Sequence, residues 1–79
     1  MTGNSVSVEP KRNATREMTP TYWRKLIEAG VPIDAANIIA WAIARYDTAN
    51  RLPQDHQRHL INHYCPSVCR AGLWRSQLL

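Results

Sequence analysis

Phenylalanine is missing from this chain, and its 79 residues include only three glycines, two cysteines and six acids. Each scarcity excludes something. Two cysteines, Cys65 and Cys69, are too few for a disulfide scaffold. So few glycines leave no Gly-rich loop to cradle a phosphate. The acids form no paired-carboxylate arrangement for general acid–base work. Met1–Val8 has neither the basic nor the apolar region of a signal peptide, so the chain is expected to be intracellular and cytoplasmic. Without secretion, the sequon Asn13-Ala14-Thr15 carries no weight. No apolar run approaches the about 20 residues that cross a bilayer, and no membrane partner is expected.

What the chain does have is arginine: eight, beside Lys11 and Lys25, for a net charge of +4. Arginine suits phosphate, carboxylate and aromatic faces better than lysine does, which points to an acidic partner, protein or nucleic acid. Seventy-nine residues make one domain at most. A core of that size supplies roughly 3–5 kcal/mol, so a partner or a homo-oligomer would add materially to stability.

One stretch organises the rest. From Ile33 to Tyr46 the only polar residues are Asp34, Asn37 and Arg45, and no Gly or Pro interrupts. The steps Ala35/Ile39/Ile43 and Ala36/Ala40/Ala44 fall on neighbouring rows of a helix. A helix apolar on most sides is buried on most sides, which makes this the central helix of an all-α domain.

Around it, residues 1–18 are polar and aperiodic and read as a flexible, mildly basic arm, leaving 19–79 as a single helical domain. Thr19-Pro20 resembles a helix start, and Gly30 a stop for a first helix. The central helix is predicted to open at Pro32 or Ile33 and close near Asn50. A third should run from Pro53 to Tyr64 with Leu60, Ile61 and Tyr64 on one side. A fourth, capped by Cys65 or Ser67, should reach about Gln77, with Gly72 weakening it by about 1 kcal/mol. The fold expected is a small three- or four-helix domain.

Three constellations are weighed for function. His59 and His63 stand four apart, with Cys65 and Cys69 just beyond, so a His2Cys2 zinc site is chemically possible. The spacing fits no zinc-finger pattern, and two small buried thiols are the plainer reading. Cys65 with His63 or His59 would still lack a pocket, an orienting group and an oxyanion hole, so neither catalysis nor a cofactor is expected. A Gly-linked helix pair resembles a helix-turn-helix, with Lys11, Arg12, Arg16 and Asn37 as its nucleic-acid contacts. Its second helix is too apolar for a reading helix, and Asp34 repels phosphate. Finally, Trp and Arg recur together: Trp23-Arg24, Trp41 with Arg45, and Trp74-Arg75. Only Trp41 and Arg45, one turn apart, are placed to stack.

Trp and Arg are enriched at binding hot spots. The sequence therefore leads to a non-enzymatic regulatory or accessory protein, an inhibitor or adaptor that docks on a larger protein or protein–nucleic-acid complex. The contact residues expected are Asn37, Trp41 and Arg45, with Arg24, Trp74 and Arg75 around them. The alternatives are a nucleic-acid-binding regulator and a zinc-stabilised module.

Overall fold

Alanine lines one fully buried row of the structure. In the computed structural model, which describes residues 10–78, Ala36, Ala40 and Ala44 are all fully buried along one row of the central helix. The same side carries Asp47 and Thr48, whose side chains bond to Tyr22 and Thr15 of the preceding helix. Side chains that end at Cβ let two helix backbones approach closely. The other buried row, Ala35, Ile39 and Ile43, shares one core with Ile61, Val68, Leu73 and Leu78.

Four α-helices make up the described residues: α1 (Pro10–Glu28), α2 (Ile33–Ala49), α3 (Asp55–His63) and α4 (Cys65–Arg70), followed by a 3-10 turn at Ser76–Leu78. The all-α expectation holds. No described helix is long and apolar enough to cross a membrane.

α2 matches the predicted element, closing on Asn50 in the left-handed conformation at φ 58°. α3 opens two residues later than predicted. Gln54 caps it, and Gln57 turns back so that its Oε1 accepts the Gln54 N–H at 2.8 Å. That reciprocal box gives a buried Gln57 a reason to be polar.

Two boundaries need correction. The first helix does not begin at Thr19-Pro20; it starts at Pro10 and runs through Pro20. Residues 1–9 of the expected arm lie outside the described residues, but 10–18 are helical. Pro20 has no N–H for the Arg16 carbonyl, a local defect of about 3 kcal/mol in a helix interior. Both residues lie on the exposed side, where water reaches that carbonyl. Packing offsets the defect: Thr15 is buried and bonded to the Thr48 hydroxyl, and Met18 lies against the core. Thr19, expected as a cap, instead donates its hydroxyl to the Thr15 carbonyl at 2.8 Å.

The fourth helix stops at Arg70 rather than near Gln77. Gly72, at φ +76°, takes the left-handed position that ends the helix, with Leu73 N–H bonding back to the Val68 carbonyl at 3.1 Å. Gly30 ends α1 the same way, at φ +101° with Val31 N–H to the Leu26 carbonyl at 3.0 Å.

Candidate functional site

α2 has one side that the rest of the domain covers only in part. Advancing 100° per residue, Asp34, Asn37, Ile38, Trp41, Arg45 and Thr48 fall within about a quarter-turn of the helix, and Thr48 at its far end already bonds to Thr15 of α1. Asp34, Asn37 and Trp41 are exposed, while Ile38 and Arg45 are half-buried. The remaining circumference holds the seven buried residues of the helix. Trp41, at 39% exposure, stands in the middle of the strip. The anticipated stack of Arg45 on Trp41 is not formed; among the described residues the one ring contact is His63 edge-on to Tyr64, at 4.6 Å and 83°.

The other sequence-derived contact residues separate from this strip. Arg24 is exposed on the outer face of α1, opposite the buried row Thr15/Tyr22/Leu26/Ala29. Trp74 packs against the core, as Trp23 does. Arg75 is committed to bonds within the chain. Its Nε and Nη2 donate to Asp47 Oδ1 and Oδ2 at 3.2 and 3.0 Å, and its Nη1 donates to the Trp74 carbonyl at 3.2 Å. Tyr22 Oη donates to Asp47 Oδ2 at 2.6 Å.

Asp47 thus ties α1 and the C-terminal segment to α2. Burial disfavours its charge, but hydrogen bonds from Arg75 and Tyr22 and the guanidinium charge prevail, and its carboxyl stays below the ordinary value. Burial, reinforced by the Asp47 carboxylate, pushes the Tyr22 phenol up to about 12. The bond to Asp47 likewise raises Arg75. Adjacency to Trp74, which suggests a binding role for Arg75, is visible in a sequence, whereas a partner 28 residues away is not. Ile38 and Asp34, strip members it passed over, were legible in the spacing.

The metal alternative does not assemble. Among the described residues no group of three His, Cys, Asp or Glu side chains is placed to hold an ion, so His59, His63, Cys65 and Cys69 do not form the tetrahedral set. His63 turns to Tyr64 instead. Cys65 and Cys69 are close enough to interact. Residual desolvation and the Cys65 thiol push the Cys69 thiol above its ordinary value, which keeps it protonated and weakly nucleophilic. Two surface depressions stand out among the described residues. The larger, about 550 Å³, runs beside Asp55, Arg58, His59 and Asn62 and opens widely to solvent, and Asp55 there already pairs with Arg58 at 2.6 Å. The smaller, about 270 Å³, lies between Lys25, Glu28 and Arg70, whose Nη1 donates to the Ala29 carbonyl at 3.3 Å. Neither sets a nucleophile beside a base.

The helix-turn-helix geometry is also absent from the α1–α2 pair. Thr15 and Thr48 touch at the far ends from the Gly30 turn, so α1 and α2 lie side by side as an antiparallel hairpin. A wide-angled reading pair would separate those ends. Arg16 is exposed on α1, and the side chains of Lys11 and Arg12 lie outside the described residues. Comparison with protein-family models, with curated proteins and with solved structures gives no match.

Proposed function

We propose that this chain is a non-enzymatic docking protein, a regulator or adaptor, whose contact surface is the outward strip of α2. The observation that carries the reading is Trp41. A helix with seven buried residues on its other sides keeps its one Trp 39% exposed, between exposed Asn37 and half-buried Arg45. Burial does not require a Trp there, and a part-exposed indole, apolar in body with a polar N–H, suits an interface. Trp with Arg beside it is the composition of a protein-binding hot spot. The strip's apolar centre favours a protein over nucleic acid, and Asp34 at its end opposes phosphate.

The test is capture from extract with the wild-type chain, Trp41→Ala and Arg45→Ala, each with and without nuclease. A protein retained after nuclease by the wild type and lost by both variants supports the reading. Capture abolished by nuclease transfers the function to nucleic-acid binding. Capture equal in all three chains removes the strip from the site.

A further inference from the structure

The strip has an internal order that specifies its partner more closely than its composition does. Asp34, Ile38, Trp41 and Arg45 follow one another at intervals of four, three and four residues. That is the spacing of a coiled-coil seam, two residues per heptad, and it keeps all four on one narrow line along the helix. The line begins with an acid, ends with a base and is apolar between. Asp34 and Arg45 take part in neither ion pair found among the described residues, Arg58–Asp55 and Arg75–Asp47. The seam is therefore unpaired at both ends and partly exposed in the middle.

Such a line is complementary to its own reverse. In an antiparallel pairing of two α2 helices about a two-fold axis, the midpoint of Asp34 and Arg45 coincides with the midpoint of Ile38 and Trp41. Asp34 then meets Arg45 of the second copy, and Ile38 meets its Trp41, each contact made twice. Two-fold interfaces have this form, one patch meeting itself with residue i on j and j on i. A parallel pairing would set acid on acid and base on base. The acid also stands in the first turn of α2, where the helix dipole favours it.

We infer that a second copy of this chain occupies the α2 strip, forming an antiparallel homodimer through Asp34, Ile38, Trp41 and Arg45. The inference rests on the docking reading above and names the occupant of that surface. A heterologous partner would have to displace the second copy, so self-association would hold the docking face covered until such a partner is present. A modest seam of four residues gives a dimer that dissociates on dilution rather than an obligate one.

The charge pattern supplies its own test. In Asp34→Arg, two bases face each other at both ends of the dimer. In Arg45→Asp, two acids do. An equimolar mixture of the two variants restores an acid–base contact at both ends of a heterodimer, and the double variant D34R/R45D restores both in one chain. Sedimentation velocity over a range of chain concentrations reads the mass, with circular dichroism checking that each variant keeps its helices. The wild type is expected to approach twice the monomer mass as concentration rises, each single variant to remain monomeric, and the mixture to recover the dimer. If a single variant loses helical signal, the double variant decides: dimer supports the seam, and folded monomer overturns it. A wild type monomeric throughout, single variants that dimerise like the wild type, or a mixture of folded variants that stays monomeric also overturns it. These results separate from the docking reading. A monomeric wild type that still captures a protein through Trp41 defeats only the dimer, whereas a charge-dependent dimer whose captured partners ignore Trp41 defeats only the heterologous docking.

Discussion

Removing Arg75 should loosen the fold without touching the docking strip. The guanidinium makes two hydrogen bonds to Asp47, at 3.2 and 3.0 Å, with side-chain exposures of 30% for Arg75 and 17% for Asp47. Hydrogen bonds to charged groups contribute about 1.5–3 kcal/mol each when buried. Partial solvent access screens this pair, and a discounted total of about 1–2 kcal/mol is the reasonable expectation. In a domain this small each kcal/mol moves the melting temperature by about 4–8 °C, so Arg75→Ala should melt about 4–16 °C lower. The contribution has a pH signature. Asp47 has a folded-state value below its ordinary one, so its stabilisation is fully present above the ordinary carboxylate range. It is lost as pH falls through the depressed value, and Arg75→Ala should flatten that acid limb. A double-mutant cycle with Asp47→Asn, followed by thermal melts between neutral and acidic pH, isolates the pair. An Arg75→Ala chain that melts like the wild type at every pH, yet loses partner binding, would refute the structural assignment and return Arg75 to the docking surface.

Other expectations follow from burial and backbone. Ile39→Asp places an unpaired carboxylate at a site with 0% exposure; the cost, several kcal/mol, consumes the roughly 3–5 kcal/mol a core this size supplies, and circular dichroism should show no cooperative melt. Pro20→Ala restores an N–H within α1 at an exposed position and should raise the melting temperature, a gain of up to about 3 kcal/mol; a lower melting temperature would mean that the proline serves the packing of α1. A chelator should leave the melting curve unchanged, because His59, His63, Cys65 and Cys69 do not converge; a metal-to-protein ratio near one by elemental analysis would contradict that.

α2 was legible almost to the residue because its signal is redundant: periodicity, alanine content and the absence of breakers all agree. Pro20 shows where local rules stop. A proline reads as a helix boundary from its own chemistry, and what carries α1 past it is the Thr15–Thr48 contact, 33 residues apart in sequence. Gly72 failed in the opposite sense, treated as a weak interior residue when its positive φ ends α4. The strip divides likewise. Asn37, Trp41 and Arg45 share one helix, so spacing alone joins them. Arg24, Trp74 and Arg75 share only residue type with them, and tertiary structure sends one to an outer face, one to the core and one to Asp47.

The central claim is that α2 presents Trp41 for contact rather than for its own core, and Trp41→Ala measured for stability and binding in the same preparation tests it most directly. Truncating a hot-spot Trp weakens binding by about 2 kcal/mol or more, roughly thirtyfold, whereas cutting a core Trp to Ala costs about 3–5 kcal/mol of folding stability. The account predicts a variant that keeps its helical signal and most of its melting temperature while its partner binding falls at least roughly thirtyfold. A Trp41→Ala chain that is badly destabilised, beside an Arg45→Ala chain that binds normally, would contradict it.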